Sequence, residues 1–386
     1  MTISHRDLLV LSLPYLGVFI FYFALMLWLI YGWIRLPFQT LPSALPDLFV
    51  TVIIPVRNEE KNIRTCLESI LSQHYPAECM RVIVVDDASD DRTGGIVMDI
   101  FAEHPKIDTL YLRYEDDKER VAHKKYMLTQ AMAETKDGLV VTTDGDCTVG
   151  KDWLRSMAHC YLENKCQLII GPVAFQKEQN FFGRMQSLEF AGLLAVAGGS
   201  AGCGAPLLCN GANLAYPKKV FEEINGYEGD TKASGDDMFL LQKIQKCYPD
   251  GIRFLKSKEA LVFTQPQERV RAFFSQRKRW ASKFGAYKGL WIKGAALTVF
   301  LCNLLLVLGV LLVCLIPSFR GVYLILAGGK LIIDFLFLFL AISFTQRRSL
   351  LWIYLPEQLV YSIYVVLSAC LSFRKDFEWK GRRIDK

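Results

Sequence analysis

Two long uncharged runs, one near each end of the chain, enclose a middle region of mixed polarity. Residues 8–33 and residues 294–319 contain no acidic or basic side chain. Each run exceeds the roughly 20 residues that a helix needs to cross the hydrocarbon core of a bilayer. The first run is too long for the apolar part of a signal peptide, and no cleavage pattern of small residues follows it, so we expect a retained anchor.

A third apolar segment contains charged residues. Residues 321–344 include Lys330 and Asp334, whose spacing along the chain places them on the same face of a helix. An ion pair between these side chains would lower the free-energy cost of inserting the segment into a membrane. We therefore expect a further membrane-spanning helix here, with Lys330 and Asp334 paired.

The last apolar segment, residues 350–373, is interrupted by Pro356 and Glu357. This pattern predicts either a full crossing or a segment that re-enters the membrane or lies in its interface. The positive-inside rule places both residues 346–348 and the basic tail, residues 374–386, in the cytoplasm. Both can be cytoplasmic only if the last segment does not cross, which is the arrangement that we favour.

The middle region begins after a proline-containing linker, residues 35–47, and then alternates strand-like and helix-like patterns. Apolar stretches rich in β-branched residues at 48–55, 81–85 and 139–143 are typical of buried strands. Residues 59–72 place Ile and Leu with helical spacing. This alternation predicts an α/β fold with a mostly parallel sheet flanked by helices. In such sheets, ligands bind at the carboxyl ends of the strands.

Carboxylates follow the predicted strands at these ends. Asp86 and Asp87 follow one strand, and Asp144 and Asp146 follow another, with a glycine between them. Carboxylates that flank a glycine at a strand end can converge on one divalent ion. Mg²⁺ and Mn²⁺ favour oxygen ligands and bridge readily to phosphates. The pattern therefore predicts a Mg²⁺ or Mn²⁺ site that also receives a phosphate-containing ligand.

Two later segments differ in composition from the rest of the middle region. From residue 180, an apolar cluster gives way to small residues between Ala191 and Ala205. We expect a helix near the membrane, followed by a flexible loop. Residues 268–290 combine basic with aromatic side chains. Segments of this composition next to an apolar run tend to lie in the membrane interface.

Cysteine usage and net charge exclude several classes of protein. The eleven cysteines are scattered singly, without a C-x-x-C pair. This distribution argues against a zinc site and against a disulfide framework, and it suits a reduced compartment. The formal net charge of +6 at pH 7 suits an anionic membrane surface or anionic substrates. We expect no nucleic acid among the partners.

The chain from about residue 48 to residue 285 resembles the family 2 glycosyltransferases, whose nucleotide-binding α/β domain is called the GT-A fold. The resemblance lies in motifs that occur in the family's order: residues 52–60, residues 84–93, Asp144-Gly145-Asp146, residues 234–240 and Gln276-x-x-Arg279-Trp280. The last motif is similar to one in enzymes that make cellulose, chitin or hyaluronan and in ceramide glucosyltransferases.

On the donor side, the resemblance implies a set of residues that bind a nucleoside diphosphate-sugar: Pro55, Arg57, Glu59, Asp87, Lys124 and Asp144. Within this set, Asp87 would hydrogen-bond the base and Lys124 would face the diphosphate as a point charge. Asp144 would contact the nucleotide-sugar, and Asp146 would ligate the metal. In this chain His123 stands where the family usually has a glycine before the lysine.

On the acceptor side, the resemblance aligns Asp237 with the base that takes the proton of the attacking hydroxyl, which implies inversion at the anomeric carbon. The neighbouring Asp236 suits the cap of the helix that follows. Arg279 would approach the diphosphate, where paired guanidinium donors fit. Trp280 would form a flat floor under the acceptor, and Gln276 completes the motif.

The resulting prediction is a membrane-bound inverting glycosyltransferase with a GT-A domain, one N-terminal and two to three C-terminal transmembrane helices. We expect a UDP-linked donor and a lipid or lipid-linked glycan acceptor, in the bacterial inner membrane with the catalytic domain in the cytoplasm. The predicted boundaries are 1–34 for the anchor, 35–47 for the linker, 48–267 for the GT-A domain, 268–290 for the interfacial segment, 291–373 for the membrane region and 374–386 for the tail.

Three other functions fit the sequence less well. A processive polysaccharide synthase needs a transmembrane channel and usually more crossings than this chain offers. A non-catalytic scaffold subunit is disfavoured because Asp144, Asp146, Asp237 and Arg279 are all present. A transporter would explain the charges in the apolar segments, but it leaves the large middle region unexplained.

Overall fold

The structure is a computed structural model, and it describes residues 5–41, 44–115, 122–176, 178, 180–230, 235–282, 289–372, 377–379 and 382–384. The chain divides into two compact units. We call the first the helical unit, which comprises Met1–Ile34, Glu178–Cys203 and Gln267–Lys375. We call the second the sheet unit, which comprises Arg35–Lys177, Gly204–Pro266 and Asp376–Lys386.

The elements are numbered in chain order. The strands are β1 Val50–Val56, β2 Met80–Asp87, β3 Asp108–Tyr114, β4 Leu139–Thr142, β5 Thr148–Val149, β6 Leu168–Ile170, β7 Val173–Phe175, β8 Leu214–Pro217, β9 Ile252–Phe254, β10 Val262–Thr264, β11 Phe377–Trp379 and β12 Arg382–Ile384. The helices are α1 His5–Arg35, α2 Ile63–Leu71, α3 Thr93–Glu103, α4 His123–Ala133, α5 Trp153–Asn164, α6 Phe181–Gly202, α7 Lys218–Glu223, α8 Asp236–Cys247, α9 Val270–Ser282, α10 Leu290–Leu315, α11 Arg320–Phe344 and α12 Tyr354–Ser372.

The sheet unit is built on a seven-stranded sheet of order β3-β2-β1-β4-β8-β6-β9. β1 pairs in parallel with both β2 and β4, and within this seven-stranded sheet, as described, β8 alone runs antiparallel to its neighbours. All residues of β1 except Pro55 are buried, as are all residues of β2 except Arg81. The apolar runs are explained by this burial, because a central parallel strand is covered on both faces. The predicted mostly parallel sheet with flanking helices is confirmed.

The helical unit contains α6, which the sequence analysis expected to end in a flexible loop. That expectation is wrong, since α6 continues to Gly202. The small residues permit a close contact with α1: a Cβ atom at Gly32 would lie 1.9 Å from the carbonyl oxygen of Gly199. Small side chains let helix backbones approach in this way. Because α6 belongs to the helical unit, the predicted continuous domain over residues 48–267 is interrupted.

Helices long and apolar enough to cross a membrane lie at Arg6–Arg35, Leu290–Leu315, Pro317–Phe344 and Arg348–Cys370 in the described parts of the chain. One is therefore N-terminal and three are C-terminal. The predicted pair in the third is confirmed, with 2.6 Å between Lys330 Nζ and Asp334 Oδ2. Tyr22 donates a further hydrogen bond of 2.6 Å to Asp334.

The predicted interruption at Pro356 does not break α12, which runs unbroken from Tyr354 to Ser372. Proline is accommodated in a first turn because the N–H groups there have no helical partner. Whether this helix crosses or re-enters stays a prediction, as does the position of the tail. Residues 283–288 of the predicted interfacial segment, and residues 373–376, 380–381 and 385–386 of the C-terminal end, lie outside the described residues.

The contact between α1 and α6 predicts that Gly32 tolerates no side chain. Gly32→Ala should lower the free energy of unfolding by about 1–3 kcal/mol, the usual range for overpacking. Gly17→Ala is the matched control on α1, because nothing lies within 4 Å of its added Cβ. Thermal unfolding of the purified full-length protein in detergent measures both. Equal midpoints for the two variants would contradict the close approach of the helices.

Candidate active site

The parallel pairing of β1 with β2 and β4 brings three loops to one edge of the sheet. Val52 lies opposite Val82 on one side and Val141 on the other. Arg57 and Asp144 lie in the loops that follow β1 and β4, and Asp87 is the last residue of β2. The sheet register thus explains why residues far apart in sequence converge on one site.

The loop after β1 is tied to the loop after β2 by side-chain and backbone hydrogen bonds. Arg57 is buried, and its Nη1 donates to the carbonyl oxygens of Asp87 and, at 3.2 Å, of Ala88. The backbone N–H of Glu59 donates to the Thr93 hydroxyl at 2.8 Å. Arg57 and Glu59, both predicted donor-binding residues, therefore also hold this edge together.

The adjacent acids Asp86 and Asp87 have different surroundings, although both are fully buried. Asp86 accepts hydrogen bonds from the backbone and hydroxyl of Ser89, at 2.8 and 2.6 Å, and from the Tyr111 hydroxyl at 2.6 Å. Burial and this last bond raise the pKa of Tyr111, which remains a donor. Asp87 instead lies 3.0 Å from His123 Nδ1. Asp86 therefore supports the loop, and Asp87 faces α4.

Lys124, in the first turn of α4, joins the edge of the sheet to the later acidic motif. Its ammonium lies 2.7 Å from Asp144 Oδ1 and 3.5 Å from Asp236 Oδ2. Burial opposes the charge, but Asp144 and Asp236 outweigh it and raise the pKa of Lys124, so the group is a cation at neutral pH. It can therefore offer a fixed positive charge to a diphosphate, and it cannot act as a base.

The acidic motif differs in one respect from the prediction. Asp236 was assigned to the cap of the following helix, but Gly235 is the cap residue and Asp236 begins α8. Gly235 has φ of 92°, which a residue without a side chain adopts readily. Asp236 is thus placed in the first turn, where its carboxylate reaches Lys124.

Asp237 lines a small pocket. Its Oδ2 accepts from the Gly211 N–H at 3.4 Å, and its Oδ1 from the Met238 N–H at 2.8 Å. Pro55, Lys124 and Asp236 also line the pocket. Three predicted site residues therefore line one pocket: Pro55 from β1, Lys124 from α4 and Asp237 from α8.

The Asp144-Gly145-Asp146 motif packs directly against the end of β1. A Cβ atom at Gly145 would lie 2.8 Å from Val56 Cγ1 and 3.3 Å from Glu59 Cγ, so only glycine fits without a shift. The Thr264 hydroxyl lies 3.2 Å from Asp146 Oδ2. This packing explains the glycine between the acids and sets the direction of both carboxylates.

The donor set at this motif fits Mg²⁺ or Mn²⁺ bound together with a nucleotide. Within the described residues, no group of three or more His, Cys, Asp or Glu side chains is arranged to hold a metal. Mg²⁺ is usually held by only one or two carboxylates, with phosphate and water oxygens completing its shell. Asp146 and Asp144 supply that number of carboxylates.

The Gln276-x-x-Arg279-Trp280 motif lies on α9 in the helical unit. Gln276, Arg279 and Trp280 are half-buried, whereas Arg277 between them is buried. The ring centroid of Trp280 lies 6.4 Å from that of Phe190 on α6. A helix brings the motif's residues close together, because positions three and four apart share a face.

Sequence reasoning missed several pairings around the site. His123 was noted only as a departure from the family's glycine, and Lys125 was given no role. Lys125 is buried and forms an ion pair with Asp230. The signal that could have identified it is the unusual run of three ionisable residues in the first turn of α4.

The fold and the site together define a glycosyltransferase with a GT-A type domain. Residues 17–385 match the sequence profile of Glycosyl transferase family 21, so the chain belongs to this family. The predicted enzyme class is thereby confirmed, and the family 2 designation stays a prediction.

Curated relatives agree with this class. The probable glycosyltransferase YdaM of Bacillus subtilis (strain 168) is 28% identical over 242 residues, which are 60% of this chain and 54% of the relative. The poly-β-1,6-N-acetyl-D-glucosamine synthase of Staphylococcus epidermidis is 22% identical over 234 residues, 60% of this chain and 53% of the relative. The chain spans about half the length of these curated relatives.

The mannosyltransferase PcManGT from Pyrobaculum calidifontis, solved in complex with GDP-Man and Mn²⁺, has a similar structure. The TM-score is 0.57 at 17% identity, and the match covers 95% of this chain and 97% of that chain. At this identity the likeness shows the fold.

The burial of Asp86 and its hydrogen bonds with Ser89 and Tyr111 predict a purely structural role for this residue. Asp86→Asn should lower the free energy of unfolding by about 1–3 kcal/mol, because an amide leaves buried donors without an acceptor. Asp90→Asn is the control, since the side chain of Asp90 is 81% exposed; its effect should stay within about 0.5 kcal/mol. Denaturant or thermal unfolding compares them, and equal stabilities would contradict the assignment.

Proposed function

We propose that the protein is an inverting, metal-dependent glycosyltransferase that moves a sugar from a UDP-sugar to a lipid or lipid-linked glycan. The observation that carries this proposal is the position of Lys124, which bridges Asp144 to Asp236 and lines one pocket together with Asp236 and Asp237. One site therefore contains a cation that can bind a diphosphate, a carboxylate that can contact a metal-bound nucleotide and a second carboxylate that can accept a proton.

The chemistry follows from these positions. The acceptor hydroxyl attacks the anomeric carbon, and its proton passes to the Asp237 carboxylate. The bond from the anomeric carbon to the diphosphate breaks at the same time, with the electron pair leaving on the nucleoside diphosphate. Mg²⁺ or Mn²⁺, bound at Asp146, would supply charge neutralisation to that leaving group. One base on one face implies inversion.

The donor-binding roles proposed for the remaining residues agree with their surroundings. Asp87 would receive the base, with His123 holding its carboxylate in place. Pro55 lines the pocket, and Arg57 and Glu59 shape the loop beside it. We assign the nucleotide as UDP on the resemblance to family 2.

The acceptor is proposed to be a membrane lipid or a glycan carried on one. Support comes from the four helices long and apolar enough to cross a membrane and from the half-buried Trp280, whose flat face suits a sugar or lipid head group. Gln276 and Arg279 complete this acceptor-side motif. The proposed setting is a bacterial inner membrane, with the sheet unit in the cytoplasm.

A processive polysaccharide synthase is the second candidate function. The observation that favours it is the similarity to a poly-β-1,6-N-acetyl-D-glucosamine synthase. The two functions differ in product: a single-transfer enzyme adds one sugar to each acceptor, whereas a synthase yields a ladder of lengths. Mass spectrometry of the product distinguishes them.

The proposed donor site predicts metal-dependent nucleotide binding. Purified full-length protein in detergent should bind UDP more tightly than GDP when Mn²⁺ is present, and Asp146→Ala should remove most of the effect of Mn²⁺. Asp99→Ala, which changes an exposed carboxylate on α3, is the matched control. Calorimetric titration measures each affinity. Folded protein that binds neither nucleotide would argue for the scaffold subunit instead.

The proposed base predicts a separation of binding from chemistry. Asp237→Asn should retain UDP affinity and lose transfer by about 10²–10⁴-fold, because the amide cannot accept the proton. Asp250→Asn, a change at an exposed acid, should transfer at the wild-type rate. Turnover of a labelled UDP-sugar in the presence of membrane lipid measures this, and full activity of Asp237→Asn would show that another group is the base.

A further inference from the structure

A buried arginine lies within the Gln276-x-x-Arg279-Trp280 motif, at a position that the motif leaves open. Arg277 is 4% exposed, and its side chain points into the helical unit from α9. The proposed reaction assigns it no role. Since a buried guanidinium must be fully paired to be tolerated, its partners indicate what it does.

Arg277 joins α9 to two other helices of the unit. Its Nε lies 3.1 Å from both carboxylate oxygens of Glu189 on α6, and its Nη2 lies 2.5 Å from Oε2. The Tyr364 hydroxyl on α12 accepts from Nε at 3.0 Å and donates to Glu189 at 2.7 Å. The guanidinium, carboxylate and hydroxyl therefore form a closed triangle, which we call the Arg277 triangle.

The other side of the guanidinium faces the motif. Nη1 donates to Gln276 Oε1 at 2.6 Å. The guanidinium carbon lies 4.2 Å from the ring centroid of Trp280 and 4.4 Å from that of Phe273. Contacts of this kind orient an aromatic ring and contribute about 0.5–2 kcal/mol. Two of the motif's fixed side chains are thus held by one residue.

Stability alone does not account for this arrangement. Replacing a buried ion pair by apolar residues of similar volume is often neutral or stabilising, while a bidentate arginine–carboxylate pair fixes direction closely. The Arg277 triangle connects α9 to α6 and α12, and Arg277 also contacts Gln276 and Trp280 of the motif.

We propose that Arg277 is a positioning residue, which sets the orientation of Gln276 and Trp280 toward the sugar acceptor through its bonds to Glu189 and Tyr364. The proposal rests on the acceptor-side role given above to the motif. Loss of the triangle should therefore impair transfer to the acceptor and spare the reaction of the donor with water.

The test separates positioning from charge pairing by removing both charges together. Arg277→Gln and Glu189→Gln each leave a buried charge without its partner, and both single variants should be less stable. The double variant has no unpaired charge, so its thermal midpoint should return close to the wild-type value. Its ratio of lipid transfer to donor hydrolysis should still fall by about 10- to 100-fold, the effect of a small misplacement of a reacting group.

Two further variants keep the result independent of folding. Tyr364→Phe removes one hydroxyl without changing charge, and Arg277→Lys retains the charge but cannot form the fork; both should lower the same ratio. Arg271→Gln changes an exposed arginine on the same helix and should leave the ratio unchanged. Labelled UDP-sugars and a total membrane-lipid extract in detergent serve as probes, with both products counted in one reaction.

The outcomes discriminate between this inference and the proposed function. A double variant with wild-type stability and a wild-type ratio would overturn the role of Arg277 and leave the transferase intact. Parallel losses of transfer and hydrolysis in all the triangle variants would also overturn it, because they indicate general damage. A wild-type protein that binds UDP but transfers to no lipid would overturn the proposed acceptor, and the positioning role with it.

Discussion

The free-energy cost of removing charged groups from water is the constraint that organises both units of this protein. A buried charge is tolerated only when an opposite charge and hydrogen bonds compensate for its lost hydration. In the sheet unit, the first turn of α4 meets this requirement with consecutive residues that each contact an acid from a different segment: His123 with Asp87, Lys124 with Asp144 and Asp236, and Lys125 with Asp230. One helical turn thereby contacts separate segments of the candidate active site. In the helical unit, the pair Arg277–Glu189 compensates buried charge between α9 and α6, and the pair Lys330–Asp334 does so within α11.

The sheet could be predicted from the sequence because central parallel strands are buried on both faces and therefore consist mainly of apolar residues. β1, β2 and β4 each contain a run of consecutive apolar residues, and polar residues follow each run. The same reasoning failed for α6. Its small residues resemble a flexible loop when read alone, and their meaning depends on α1, which is distant in sequence and presents Gly32 to them. Residue patterns within one segment cannot reveal a contact that is set by a different segment.

The candidate site was predictable as a set of residues but not as a network. Asp144, Asp237 and Lys124 could be chosen from motifs, since each motif reports a local requirement of the fold. Their pairing required the positions of three elements at once. Asp236 shows the difference: a carboxylate before a helix predicts a cap, yet the φ value of Gly235 moves the cap by one residue and frees Asp236 for Lys124. Arg277 was overlooked because a basic residue in a basic segment gives no sign of burial.

The interleaving of the two units along the chain has a consequence for biosynthesis. Tyr22, on α1, hydrogen-bonds Asp334, which is 312 positions later. The bond from Cys203 to the backbone of Trp28 spans 175 positions. Contacts of such long separation form late, because loop closure must precede them. α1 is therefore made long before its polar partner, and the helical unit can be completed only after residue 334 has been synthesised. The sheet unit has to fold around α6, a segment that belongs to the helical unit.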